Sequence, residues 1–237
     1  MNKTTHGEAS YSEWSIYHDN TPRALYSAEA DVRLLCGSFN TGLRDKSGRD
    51  GFKDAEALEV GFRSGISLSL LGRLGMQLSD VEVAREIAEK GRSNLLGRGY
   101  KADLRVGCNL NPPFDDDKFD IVLSWEAMHH KNNGLEMKGL VAEHTHILKP
   151  GGRIIVGLTR HHHRMREYAD SLQNGLYKIF NPMDHNFRKI VFYSNSKRQI
   201  KNYFSKIFKT ALNQKTFEDF FTGTNDYSLL TAKKQII

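Results

Sequence analysis

The chain has 237 residues, which is enough for one sizeable domain and short for two. Its hydrophobic content of 39% and charged content of 26% are those of a globular protein, and no apolar run approaches the roughly 18 residues that span a bilayer. The first six residues contain one lysine and no apolar core behind it, so they do not form a secretory signal, and we expect a cytoplasmic protein.

The net charge and the two cysteines indicate neither a nucleic-acid-binding protein nor a disulfide-rich or zinc-binding one. A net charge of +6 fits either a nucleic-acid partner or a solvated basic surface. The basic residues of the last third alternate with apolar ones at helical spacing, so we predict no nucleic-acid partner. Cys36 and Cys108 lack the spacing of a disulfide framework or a zinc site.

Residues 1–50 are expected to form a polar tail followed by a helical cap. Tyr11, Trp14 and Tyr17 recur every three residues, which is typical of one face of a helical turn. Pro22 can occupy the first position of a further helix.

A strand, a glycine turn and a helix follow one another near residue 60. Ala57 to Val60 is a short apolar run, Gly61 and Gly65 bracket a tight turn, and Ile66 to Leu74 returns to helical spacing. This order places backbone N–H groups and a helix N-terminus at the carboxyl end of a strand, where open α/β sheets bind ligands. We interpret it as a nucleotide-like site, although the same glycine spacing also occurs in ordinary turns.

Predicted strands and helices then alternate, which indicates a parallel doubly wound sheet. Ser79 or Asp80, with Glu82, is expected to cap the helix after the second strand and to complete a capping box. The predicted elements are strands at Gly75–Leu78, Leu104–Gly107, Phe119–Ser124 and Arg153–Leu158, helices at Gly65–Arg73, from the cap to Gly97 and at Met137–Leu148, and a turn at Lys149–Gly152.

The alternation ends after Thr159. We predict a long helix at His161–Phe180, an irregular stretch to Tyr193 and a helix at Lys197–Ile207. The β-rich runs Phe208–Lys215 and Tyr227–Lys233 suit an antiparallel pair that closes the sheet edge. Residues 51–237 are expected to form one domain, and its segment 160–195 is rich in aromatic residues.

Several segments in this order resemble the class I S-adenosylmethionine-dependent methyltransferases, most closely the small-molecule branch of ubiquinone and menaquinone methylases. The resemblance implies a Rossmann-like doubly wound sheet, mostly parallel with an antiparallel C-terminal strand and helices on both faces, and S-adenosylmethionine as the cofactor. The matching segments are Leu58–Gly61 with Gly65, Pro113–Val122, Met128–His130, Leu148–Gly152 and Tyr227–Lys233.

The resemblance also implies a set of cofactor-binding residues. Gln77 takes the place of the ribose-binding acid and Cys108 that of the adenine-binding acid, while Arg63 replaces a glycine of the turn. Trp125 is expected either against the adenine or in the core. The full predicted set is Glu59, Gly61, Gly65, Gln77, Leu78, Cys108, Asn109, Ser124 and Trp125.

His129 and His130 follow the fourth predicted strand, so either could act as the base for a hydroxyl acceptor, or both could serve the loop alone. Adjacent histidines such as His161 to His163 diverge by about 100° on a helix, so no metal site is predicted there. The leading hypothesis is methyl transfer to a small-molecule or lipid- or sugar-linked acceptor. The resemblance also implies that the aromatic-rich segment 160–195 covers this acceptor. The alternative is a degenerate homologue that binds or scaffolds without catalysis, as Arg63, Gln77 and Cys108 would permit.

Overall fold

The fold is taken from a computed structural model, which describes part of the chain. The described residues are 52–61, 65–125, 127–128, 134–160, 166–173, 175–180, 188–193, 196–204, 208–219 and 223–235. The predicted tail and helical cap of residues 1–50 lie outside them.

Ten strands and four helices occur in the described residues. The strands are β1 (Glu56–Val60), β2 (Gln77–Glu82), β3 (Ala102–Val106), β4 (Phe119–Trp125), β5 (Leu148–Thr159), β6 (Ala169–Ser171), β7 (Leu176–Ile179), β8 (Ile190–Phe192), β9 (Phe208–Asp219) and β10 (Gly223–Lys234). The helices are α1 (Ile66–Arg73), α2 (Arg85–Gly97), α3 (Gly134–His146) and α4 (Lys197–Phe204).

Seven of these strands form one sheet in the order β3-β2-β1-β4-β5-β10-β9. Neighbours from β3 to β5 are parallel, whereas β10 runs antiparallel to both β5 and β9. The predicted mostly parallel sheet with an antiparallel C-terminal strand is therefore confirmed.

Helices cover both faces of this sheet. Successive residues of a strand point to opposite faces, so neighbouring residues pack against different helices. In β1, Ala57 packs in a cluster with buried side chains of α1 and α2, whereas Leu58 packs in another with those of α3 and α4. Strands that are buried on both faces in this way read as nearly continuous apolar runs. No described helix has the length and apolar character that a membrane crossing requires.

The second strand is longer than predicted, and the predicted capping box is wrong. Ser79, Asp80 and Glu82 lie within β2 and are buried, and α2 begins after Ala84 with no side-chain cap hydrogen bond. The reason is that β2 is paired on both sides, with β1 and with β3, so ladder hydrogen bonds keep its backbone extended through Glu82.

The turn predicted between α3 and the fifth strand is a bulge within β5. Phe119 pairs with Leu148, and the next paired residue, Ile121, lies opposite Arg153. The residues between Leu148 and Arg153 therefore loop out of the ladder, and Gly151 takes the left-handed φ of 79° that this requires.

A small second sheet replaces the long helix predicted at His161–Phe180, and that prediction is wrong over the described residues. Its strand order is β6-β7-β8, and both pairings are antiparallel. Tyr177, Ile179 and Val191 are buried on one face, which shows the period of two that defines strands. The stretch up to Tyr193, predicted to be irregular, contains β8.

Candidate cofactor-binding site

The strand order reverses at β1, where the neighbours are β2 on one side and β4 on the other. Crossovers from this point run in opposite directions, and a crevice opens outside the carboxyl ends of the strands. Val60, Glu82 and Trp125 are the last residues of β1, β2 and β4. Ligands of open α/β sheets bind in this crevice, so the neighbourhood of these three residues is the candidate site.

The two glycines that were predicted to bracket a turn after β1 are both described. Gly61 and Gly65 have φ angles of 79° and 77°, in the left-handed region that L side chains rarely adopt. A Cβ added at Gly61 would lie 3.1 Å from the Cβ of Ala127, so a side chain there would also crowd Ala127. The Gly61 N–H donates to the Val81 carbonyl oxygen at 3.1 Å, which fixes the start of the turn against β2. Residues 62–64, including Arg63, lie outside the described range.

Three buried carboxylates lie below this turn. Glu59 is directly opposite Asp80 in the pairing of β1 with β2, and their exposed fractions are 2% and 0%. Glu82 is 6% exposed, and strand alternation places it on the same face as Asp80. Its Oε2 accepts a hydrogen bond from the Val83 N–H at 3.3 Å. Glu82 is therefore a buried acid at the carboxyl end of β2, beside the crevice.

Gln77 does not lie at the crevice, so its predicted place at the end of the second strand is wrong. It begins β2 and pairs with Glu56, the first residue of β1, so it lies roughly 16 Å from Glu82 along the strand at about 3.3 Å per residue. Leu78 comes next and packs in the core with Leu71 of α1, so it too is remote from the crevice.

Glu82 is the residue that sequence reasoning missed. The position of this acid could have been predicted from the first strand. Neighbouring parallel strands must both reach the carboxyl edge of the sheet, so the second strand has to extend as far as the first. A second strand ending at Leu78 would stop short of that edge. The buried acids hid this because they resemble helix-capping residues.

Cys108 and Asn109 lie in the loop that follows β3, and their role beside an adenine stays a prediction. The Gly107 N–H donates to the Glu82 carbonyl oxygen at 2.8 Å, which ties this loop to the end of β2. Within the loop, the Cys108 carbonyl oxygen accepts from the Asn111 N–H at 2.9 Å, and its Sγ accepts from the Leu110 N–H at 3.4 Å. A thiol that is already an acceptor for its own loop contributes less to a ligand than a carboxylate would.

Arg105 holds the far end of the same loop. Its Nη1 donates to the Pro113 carbonyl oxygen at 2.5 Å, and its guanidinium carbon lies 4.4 Å from the centre of the Phe114 ring. Its Nη2 also pairs with Asp103 Oδ2 at 2.7 Å, and this hydrogen bond is the main cause that lowers the pKa of Asp103. The loop is thus anchored at both ends.

Ser124 and Trp125 end β4 and are both buried. The hydroxyl of Ser124 has no hydrogen-bond partner among the described residues. The Trp125 ring lies against Gly157 of β5, where an added Cβ would come within 2.5 Å of it. This places the indole on the side of β4 away from β2 and β3, so its contacts support the core role rather than stacking on an adenine.

His129 and His130 lie outside the described residues, and their role as a base stays a prediction. The residues before them, Ala127 and Met128, are described and buried against the core that includes α3. The chain therefore leaves β4 close to the crevice.

Comparison with known families and proteins places this site in context. Residues 58–156 match the family model described as a methyltransferase domain. The tocopherol O-methyltransferase of Arabidopsis thaliana is 29% identical over 61% of this chain and 41% of its own length. The demethylmenaquinone methyltransferase of Tropheryma whipplei is 28% identical over 43% of this chain and 40% of its own length. The chain thus spans about two fifths of these curated relatives.

Solved structures share the fold at low sequence identity. A methyltransferase structure from Methanosarcina mazei superposes with a TM-score of 0.67 at 17% identity, covering 78% of this chain and 94% of that one. The 1,6-didemethyltoxoflavin-N1-methyltransferase of Burkholderia thailandensis, solved with its substrate and S-adenosylhomocysteine, gives 0.59 at 14% identity and covers 91% of each chain.

The family match spans the strands that build the crevice, from β1 to most of β5. The sheet order, the glycine turn and the acid at the end of β2 agree with that match. One of these structures contains S-adenosylhomocysteine, the product that S-adenosylmethionine leaves after it has given up its methyl group. Residues 58–156 of the chain thus match the methyltransferase-domain family, and the fold is shared with the methyltransferase structures above.

Proposed function

We propose that the chain transfers a methyl group from S-adenosylmethionine to a small-molecule acceptor. The observation that carries this proposal is the pair of left-handed glycines, Gly61 and Gly65, next to the buried Glu82 at the reversal of strand order. Glycines let the backbone approach a ligand closely, and a carboxylate at the end of the second strand can accept hydrogen bonds from two vicinal hydroxyls.

The residues at the crevice fit such a cofactor in three places. Backbone N–H groups of the turn and Glu59 would hold the methionine end, Glu82 would accept from the ribose hydroxyls, and the loop of Cys108 and Asn109 would flank the adenine. The left-handed φ angles of Gly61 and Gly65 support this fit, since glycines at these positions let the backbone approach a ligand closely. The degenerate alternative rested on three residues that depart from the family pattern, Arg63, Gln77 and Cys108. If Glu82 is the ribose-binding acid, Gln77 is no longer a departure.

The acceptor is proposed to be an aromatic ring compound with a hydroxyl or a nucleophilic carbon, free or lipid-linked. The two curated relatives are named a tocopherol O-methyltransferase and a demethylmenaquinone methyltransferase. Both compounds in these names contain a substituted aromatic ring. The segment 160–195, with the small sheet inside it, is proposed to cover this acceptor.

When bound, S-adenosylmethionine supplies an electrophilic methyl group on a sulfonium, so the new bond to the acceptor forms as the carbon–sulfur bond breaks and its electron pair stays on sulfur. The protein then has two tasks. The crevice must align the acceptor with the methyl and exclude water, which accounts for most of the rate in such transfers. His129 or His130 would take the proton that a hydroxyl acceptor loses.

Transfer of a labelled methyl group from S-adenosylmethionine to a panel of phenols, quinols and lipid-linked quinols tests the proposal. We expect label in at least one aromatic acceptor and the release of S-adenosylhomocysteine in equal amount. Tight binding of S-adenosylhomocysteine without transfer to any acceptor would contradict the catalytic proposal while leaving the cofactor site intact.

A further inference from the structure

Ser124 carries a hydroxyl that is buried without a hydrogen bond. The residue is 0% exposed, one position before the end of β4, and its Oγ has no partner among the described residues. A buried polar group that lacks a partner lowers the stability of a fold, so each one in a native protein calls for an explanation. A ligand that supplies the missing hydrogen bond is one such explanation.

Ser124 lies on the face of the large sheet that α3 and α4 cover. Its neighbours in the strand, Leu123 and Trp125, pack in the cluster of α1 and α2, so alternation places Ser124 on the opposite face. There it pairs with Val156 of β5 and follows Val122 of its own strand, and both valines pack in the cluster of α3 and α4. A buried water needs about 2–4 polar partners, so these apolar surroundings favour a ligand over a water.

The buried acids beside the glycine turn lie on the other face. Glu59 pairs with Asp80 in β2 and with Leu123 in β4, and Leu123 packs in the cluster of α1 and α2. Glu82 is on the same face as Asp80, because it follows two residues later in the strand. The acids proposed for the cofactor and the hydroxyl of Ser124 therefore belong to opposite faces of the sheet.

The small sheet packs on the same face as Ser124. Phe192 of β8 is part of the cluster that contains the buried side chains of α3 and α4, and Leu176 of β7 packs against that cluster. The centre of the Phe192 ring also lies 6.0 Å from that of Tyr203 in α4. The segment proposed to cover the acceptor thus contacts the face to which Ser124 belongs.

We propose that the Ser124 hydroxyl binds an oxygen of the aromatic acceptor and selects for it. This inference rests on the proposed methyl transfer. A serine hydroxyl both donates and accepts, so it can bind a phenolic hydroxyl or a ring carbonyl. An analogue without the oxygen leaves the buried hydroxyl unpaired and is rejected for that reason.

The hydrogen bond would fix the rotation of the acceptor ring at the carboxyl edge, which is the alignment that transfer requires. Ser124 is fully covered in the free chain, so the acceptor reaches it by displacing covering chain, as substrates do in enzymes with closing segments. The resemblance to methyltransferases assigned Ser124 to the cofactor, whereas its place on the sheet assigns it to the acceptor.

Binding of 1-naphthol to the full chain saturated with S-adenosylhomocysteine tests the proposal. Naphthalene is the analogue that lacks the oxygen, and the fluorescence of the two rings reports binding. We expect Ser124→Ala to bind 1-naphthol about threefold to tenfold more weakly than the wild type, which is the contribution of one neutral hydrogen bond. Naphthalene should bind to both chains equally, and so should S-adenosylhomocysteine in calorimetry.

The stability of the ligand-free chain gives a second measurement. Removal of an unpaired buried hydroxyl should leave the thermal midpoint of Ser124→Ala unchanged or raise it by a few degrees. Ser124→Cys keeps the volume but donates only weakly, so it should also bind 1-naphthol less tightly than the wild type. Ser79→Ala is the matched control, since Ser79 is a buried serine on the same face, three residues before the end of β2. It should leave all three affinities unchanged.

Four results would overturn the proposal. A clearly lower thermal midpoint for Ser124→Ala would make the hydroxyl structural, and weaker binding of S-adenosylhomocysteine by this variant would return Ser124 to the cofactor. Equal binding of 1-naphthol by the variant and the wild type would remove the hydrogen bond. A wild-type chain that binds S-adenosylhomocysteine but not 1-naphthol would contradict this inference alone, whereas one that binds neither would contradict the proposed function and this inference with it.

Discussion

The Gly107 N–H donates to the Glu82 carbonyl oxygen at 2.8 Å, so the loop after β3 and the end of β2 are one connected structure. Glu82 thus contributes to the proposed site through both its side chain and its backbone. Its side chain offers a buried carboxylate at the crevice, and its backbone holds the loop of Cys108 and Asn109 beside it.

Replacement of Glu82 tests its role as the ribose acceptor. Glu82→Gln keeps the shape of the side chain but removes the charge, and a charged hydrogen bond contributes about 1.5–3 kcal/mol against about 0.5–1.5 for a neutral one. We expect affinity for S-adenosylhomocysteine to fall by roughly tenfold in calorimetry. Gln77→Ala, at the opposite edge of the sheet, is the control and should change nothing. The reverse pattern would restore Gln77 as the ribose residue.

Arg105→Met removes the anchor at the far end of the loop while keeping an apolar stem against Phe114. Without the hydrogen bond to the Pro113 carbonyl oxygen, the loop loses its fixed position, and we expect affinity for S-adenosylhomocysteine to drop by about fivefold to tenfold. Lys118→Met is the matched control, because Lys118 contacts the same ring at 5.0 Å. Equal affinities for the two variants and the wild type would show that the loop holds itself without Arg105.

Gly61→Val should abolish cofactor binding while the chain stays folded. A branched side chain is strained at a φ of 79° and would meet Ala127 beside the turn. Gly99→Val is the control for strain alone, since Gly99 has a φ of 83° and an added Cβ there would meet nothing within 4 Å. Calorimetry should show binding lost only for Gly61→Val. Unchanged binding for that variant would move the site away from the turn.

The stability of the fold should depend on pH through His146. Its Nε2 lies 2.7 Å from Glu143 Oε2 and its Nδ1 lies 2.8 Å from Asp116 Oδ1, and the bond to Glu143, followed by that to Asp116, raises the pKa of His146. A raised pKa in the folded state adds stability below the unfolded pKa of about 6.5, and that stability is lost as the pH rises through the folded value.

His146→Gln should therefore cost more stability near pH 5.5 than near pH 9, as measured by urea unfolding. Because the histidine is partly exposed, the difference should be on the order of 0.5 kcal/mol. The same cost at both pH values would mean that the charge on His146 does not contribute.

His129→Ala or His130→Ala should lower turnover on a hydroxyl acceptor by on the order of 10²-fold and leave cofactor affinity unchanged, because a positioned base assists proton removal. His146→Ala is a suitable histidine control, since His146 ends α3, just before the start of β5 and so at the edge of the sheet away from the crevice. Full turnover by both variants would leave positioning as the only source of rate.

Much of the fold was predictable because its strands are buried on both faces and read as apolar runs between glycines. The glycine turn could be predicted as well, since only glycine occupies left-handed φ angles without strain. In the apolar strands and at these glycines, the residues that the local sequence pattern favours are also those that the tertiary structure needs.

The errors arose where polar residues are buried by pairing that the local sequence does not reveal. Asp80 and Glu82 resemble a helix start, yet two neighbouring strands hold them in a sheet. The small sheet was missed because its strands have only three or four residues, too few for a period of two to be distinguished from a helix.

A calorimetric titration of the wild-type chain with S-adenosylhomocysteine tests the central claim most directly. The crevice at the ends of β1, β2 and β3 should bind one molecule per chain, with a dissociation constant within the range of about 1 μM to 1 mM that enzymes show for their substrates. A folded chain that releases no heat and gains no thermal stability at millimolar concentrations of this ligand would contradict the cofactor site.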